Sequence, residues 1–60
     1  RTVMYRVHFA DPNRLAEDGG TTLDVRDYDD LGSMYMLELT DGSTQSVGKQ
    51  LVDEIVDADA

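Results

Sequence analysis

Three short stretches of this chain alternate apolar and polar residues, and a period of two commits them to a sheet. In Arg1–Ala10, Val3, Tyr5, Val7 and Phe9 share one side, and Thr2, Met4, Arg6 and His8 the other. Successive strand side chains point to opposite faces, so this reads as a half-buried strand. Its β-branched and aromatic residues suit a pleated surface. Thr21–Tyr28 repeats the pattern, with Leu23 and Val25 inward and Asp24 and Arg26 outward. Ser33–Thr40 is the third strand, with Tyr35, Leu37 and Leu39 on one side.

The connections carry their own signals. Asp11-Pro12 stops the first strand, because proline cannot continue a central ladder. Asp as N-cap followed by Pro also starts helices, so Asn13–Asp18 is expected to make one or two helical turns. Leu15 and Ala16 would face inward, and Gly19-Gly20 would end the turns. This is the longest connection, and such loops often carry binding residues; the plain alternative is a linker. Asp29-Asp30-Leu31-Gly32 is a turn by composition. It makes a hairpin in which Val25 opposite Leu39 would set Arg26 facing Glu38. Asp41-Gly42 is a strong hairpin signal and leads into a fourth strand, Ser43–Val47.

The segment from Gly48 to the end allows two readings. Val47, Leu51, Val52 and Ile55 recur at helical spacing. Lys49 lies at the start and Asp53, Glu54, Asp57 and Asp59 toward the end, opposite to the preference of a helix macrodipole. The other reading is one helical turn at Gly48–Leu51, then a fifth strand around Glu54–Asp57. A four-strand meander, a tight turn and a closing strand resembles small SH3-like barrels, in topology and not in any motif. A mainly β fold of four to five antiparallel strands is therefore expected over residues 1–60 as one small domain. The alternative is an antiparallel sheet capped by a C-terminal helix (α+β). The expected core is Val3, Tyr5, Val7, Phe9, Leu23, Val25, Tyr35, Leu37, Leu39, Val47, Leu51 and Ile55.

Such a core is thin. A 60-residue chain buries only about 60% of its unfolded surface, and its core alone rarely supplies more than about 3–5 kcal/mol. There is no Cys and one His, which excludes disulfides, thiolate metal sites and a multi-histidine site within one chain. The net charge is −8, ten of the thirteen acids are Asp, and Lys49 is the only lysine. In dilute salt that charge repels itself, whereas at about 1 M salt the Debye length falls to about 3 Å. This usage is similar to that of haloarchaeal cytoplasmic proteins, which implies a salt-adapted, halophilic acidic protein with a cytoplasmic location. Lack of Cys fits that compartment. No apolar run exceeds four residues, so no membrane contact is expected. The start at Arg1, without Met, suggests a trimmed or truncated N-terminus.

Several constellations invite chemistry. Counted from Asp27, acids or Gly fall at the first (Asp27), third (Asp29), sixth (Gly32) and twelfth (Glu38) positions of an EF-hand loop, but Leu31 breaks the fifth and the flanks are strands. An acidic β-turn is expected there, and no metal. His8 could be a general base, but parity puts it on the outward face with no nucleophile motif nearby. Gly19-Gly20 lacks the spacing and Lys of a phosphate loop. Hence no enzyme, catalytic residue or cofactor is expected. Arg1, Arg6 and Arg26, with Tyr28, could share an outward face that touches nucleic acid. Asp24 and Glu38 on that face oppose it. All three methionines, Met4, Met34 and Met36, have outward parity, and so does Tyr28. Flexible thioethers outward on an acidic protein point to a contact surface, or else to a second small core. The expectation is a non-enzymatic protein-interaction or regulatory module that self-associates, a homodimer or a complex with a protein partner. The alternative is a small-barrel nucleic-acid-associated module.

Overall fold

The computed structural model describes residues 4–16 and 19–58. Five antiparallel strands form one open sheet: β1 (Tyr5–Phe9), β2 (Thr22–Asp30), β3 (Met34–Leu39), β4 (Thr44–Gly48) and β5 (Val52–Asp57). Their order across the sheet is β4-β3-β2-β1-β5. A single 3₁₀ turn, Lys49–Leu51, joins β4 to β5. This is the meander, tight turn and closing strand expected from the sequence. The capping C-terminal helix does not form, and β5 pairs with β1 instead, with Val7 opposite Ile55.

The short β4–β5 link forces the sheet to curl. In a flat sheet the two edge strands would lie about 19 Å apart, four strand spacings. The link from Gly48 to Val52 spans only about 8 Å at 3₁₀ rise. Backbone hydrogen bonds hold the link at both sides. Lys49 N donates to Ser33 O at 3.2 Å, and Ala10 N donates to Leu51 O at 2.9 Å. The concave face therefore encloses the core.

Among the described residues, Val7, Phe9, Ala16, Val25, Leu37 and Val47 are buried, and none of the buried residues is polar. Val7, Val25 and Leu37 are fully enclosed at 0% exposure. Tyr5, Leu15, Leu23, Tyr28, Tyr35, Leu39, Val52 and Ile55 pack around them. Val3 of the expected core lies outside the described residues. Leu51 does not join the core: it is 44% exposed, and Val52, the first residue of β5, takes its place. The turn's backbone is fixed by its two outer hydrogen bonds, and that geometry points Leu51 away.

The helix expected over Asn13–Asp18 is replaced, over its described part, by a turn built on Asn13. Asn13 Oδ1 accepts from Leu15 N at 2.8 Å, and Asn13 O accepts from Ala16 N at 3.0 Å. An Asn side chain that mimics the backbone competes with helix in this way. Glu17 and Asp18 lie outside the described residues. The turn still delivers Ala16 and Leu15 to the core, as the sequence implied.

The largest departure is in β2. Val25 lies opposite Leu39, as expected, but Asp27 lies opposite Glu38, so Arg26 is an extra residue in a β-bulge. One extra residue reverses the parity of everything beyond it. Val25 and Tyr28, three apart, thus both face inward. The bulge lets β2 pair with β1 through its first half and β3 through its second.

Candidate interaction surface

The outer face of the sheet begins with ion pairs. Arg6 and Asp24, on neighbouring strands β1 and β2, meet through two hydrogen bonds, Nε to Oδ1 at 2.8 Å and Nη2 to Oδ2 at 3.4 Å. The Arg6 hydrogen bond, offset by some desolvation, holds the Asp24 carboxyl below its ordinary 3.8. Arg26 reaches Glu38 at 3.6 Å across the β2–β3 hairpin, the pairing anticipated from Val25 opposite Leu39. It forms even though the bulge shifts Glu38 onto Asp27. Surface pairs of this kind contribute about 0–1 kcal/mol each and less in salt. They do neutralise both described members of the proposed Arg1, Arg6 and Arg26 cluster. Arg1 lies outside the described residues.

Lys49 fastens the 3₁₀ turn. Its ammonium is 2.8 Å and 2.9 Å from the two carboxylate oxygens of Asp30 and 5.2 Å from the centre of the Tyr35 ring. Asp30 is lowered below 3.8 first by this hydrogen bond and then by the Gly32 backbone N–H, and Lys49 is raised above 10.5 by Asp30. Sequence inspection misses this contact, because residues 19 apart meet only once the sheet curls.

Tyr28 does not stand with the methionines. The Arg26 bulge turns it onto the concave face, where its ring meets Tyr5 edge-on at 5.0 Å and Tyr35 at 6.0 Å. Three aromatic rings from β1, β2 and β3 form one continuous set. The methionines are also divided. Met36 lies opposite Asp29 and Ser46, and Met34 opposite Gly48. Both sit on β3, behind the small side chains of β4. Met4 lies two strands away, ahead of β1, and its carbonyl accepts from Ala58 N at 3.0 Å. Arg26 and Asp27 of β2 stand between the two groups. The outward stripe is therefore a pair, Met34 and Met36, plus a separate Met4.

Other exposed apolar side chains gather near Met34. Met34 is 37% exposed and Leu31 54%, and Leu31 N donates to Met34 O at 2.9 Å. Leu51, 44% exposed, lies in the 3₁₀ turn stitched to the same β2–β3 turn. Two depressions indent the surface. One of 80 Å³ is lined by Asp27, Tyr28, Asp29, Met36, Glu38 and Thr44. A broader one of 650 Å³ lies between Gln45 on β4 and Pro12, Asn13, Arg14 and Leu15 of the β1–β2 connection.

The acidic turn does not assemble a metal site. Asp29 and Asp30 are the last residues of β2, and Asp30 Oδ1 accepts from Gly32 N at 2.9 Å, with Gly32 at φ 99°. No cluster of three or more His, Asp or Glu able to hold a metal occurs among the described residues. His8 lies on the outer face, opposite Thr22 on one side and Glu54 on the other. No helix among the described residues is long and apolar enough to cross a membrane.

No family model, curated protein or solved structure matches the chain.

Proposed function

We propose that this chain is a non-enzymatic, self-associating interaction module of a salt-adapted cytoplasm. The supporting observation is the Leu31–Met34 pair, 54% and 37% exposed in a molecule whose net charge is −8. Acidic adaptation to brine covers a surface with carboxylates, and large apolar side chains left together on it favour contact with another protein surface. Met36 continues that patch along β3 toward β4. A core of six buried side chains among the described residues adds a motive, since small domains often gain stability from a partner.

Sedimentation in about 1 M KCl tests this reading, over the tens of micromolar where moderate interfaces assemble. A concentration-dependent dimer is expected, weakened by Met34→Glu. A monomer throughout that range refutes it.

A further inference from the structure

The two free edges of the sheet are guarded unequally. An edge strand presents a row of backbone donors and acceptors, and proteins usually blunt it with charge, Pro or a cover. The β5 edge carries Asp53, Glu54 and Asp57. The β4 edge, TQSVG, carries neither charge nor Pro. In a chain of net charge −8, it is the stretch of backbone where a like-charged molecule meets least repulsion.

Its hydrogen-bonding groups are also correctly aimed. Leu39 N donates to Ser43 O at 2.8 Å, so Ser43, Gln45 and Val47 turn their N–H and C=O toward β3. Antiparallel alternation then points those of Thr44, Ser46 and Gly48 away from the sheet. The carbonyl of Ser46 already draws a donor from that side, the Gln45 side-chain amide at 3.2 Å. Thr44, Ser46 and Gly48 are small, so nothing bulky on the outer face blocks an incoming strand.

We infer that the β4 edge pairs antiparallel with β4 of a second copy, joining two five-stranded sheets into one of ten strands. This rests on the self-association proposed above and adds a backbone pairing beside its apolar patch, since Met36 and Met34 lie one strand in from that edge, opposite Ser46 and Gly48. Placing Gln45 on the two-fold axis sets Thr44 opposite the partner's Ser46, and Ser46 opposite the partner's Thr44. Each hydrogen-bonded pair exchanges two N–H···O bonds, so the two pairs give four. The same register carries Asp41 of each copy toward the partner's Lys49, an opposite-charge match at each end. The Gln45 amide swings off Ser46 O to admit the partner's N–H.

Two substitutions on the β4 edge test the inference, read by sedimentation in about 1 M KCl with circular dichroism as a check on folding. Ser46→Pro removes an outward N–H without touching the β3 ladder, since proline is tolerated on the free side of an edge strand. Thr44→Pro removes the other outward N–H of the paired register in the same way. Each is expected to weaken dimerisation tenfold or more, and Asp53→Lys on the β5 edge to leave it unweakened. A dimer retained at full strength in folded Ser46→Pro overturns the β4 assignment and leaves self-association standing. A monomeric parent chain overturns both. If Ser46→Pro fails to fold, Thr44→Pro decides.

Discussion

Replacing Tyr28 with Ala separates the bulged β2 from a straight one. With unbroken alternation, Tyr28 would be an outward side chain, and its loss would change stability by no more than about 0.5 kcal/mol. In the structure its ring joins Tyr5 at 5.0 Å and Tyr35 at 6.0 Å, both edge-on. Each such pair contributes about 0.5–1.5 kcal/mol beyond buried area, so two contribute ~1–3 kcal/mol. Tyr28 is only partly buried, which keeps the total below the ~3–5 kcal/mol of a fully enclosed aromatic. A loss of about 2–3 kcal/mol is expected, a large share of the ~3–5 kcal/mol a core this small supplies. Urea unfolding followed by circular dichroism in about 1 M KCl measures it, with Met36→Ala as the outward comparison on β3. Tyr28→Phe keeps both ring contacts and should stay near the parent. A Tyr28→Ala cost no greater than that of Met36→Ala would refute the inward placement and with it the Arg26 bulge.

Two further expectations concern the core and the carboxylates. Leu37→Ala, at a fully enclosed position, should cost about 2–5 kcal/mol and leave the chain largely unfolded by circular dichroism at 25 °C. Asp24, Asp30 and Asp41 are all held below 3.8, by Arg6, Lys49 and Ser43 respectively. A carboxyl whose pKa is lower folded than unfolded stabilises fully above its ordinary value, and loses that contribution as pH falls through the lowered one. In concentrated KCl, stability should therefore decline only below about 3.8, and Asp24→Asn should reduce that decline. In dilute salt, stability should first rise as pH falls toward the isoelectric point near 4.1, because the net charge vanishes there. A urea series across pH at two salt concentrations would reveal both trends; a flat profile in both would sink them.

Much of the sheet is legible because alternation is a local property of strands. The β1, β2 and β3 segments, the Asp41-Gly42 hairpin with Gly42 at φ 91°, and Val25 opposite Leu39 all follow from neighbours in sequence. The C-terminal segment also admits the alternative helix, since Val47, Leu51, Val52 and Ile55 fit a helical stripe. Pairing with β1 decided it, and that pairing is long-range. The Arg26 bulge is marked in the alternation itself: continuing the Leu23 and Val25 rhythm turns Asp27 and Asp29 inward and Tyr28 outward, and one extra residue at Arg26 restores apolar-in and polar-out, a break that strict alternation reads past. The surface suffers most from this, because one slipped residue moved Tyr28 from the methionine side to the aromatic core. Leu31 and Leu51 escaped notice as exposed side chains for a related reason. A turn's direction is set by the backbone hydrogen bonds that close it, here Leu31 to Met34 across the β2–β3 turn and Ala10 to Leu51 from far along the chain.

The electrostatic balance is the claim on which the rest stands. Among the described residues, Asp11, Asp29, Asp53 and Glu54 have no cationic partner, whereas Arg6 meets Asp24, Arg26 meets Glu38 and Lys49 meets Asp30. Salt weakens those three exposed pairs slightly and screens the larger unpaired repulsion, so the net effect should be stabilising. Thermal unfolding by circular dichroism, from about 0.1 M to several molar KCl at neutral pH, measures that balance directly. The account predicts a chain largely unfolded at the low end and a Tm that climbs steadily with salt. A cooperative transition at the same Tm across the whole series would contradict it.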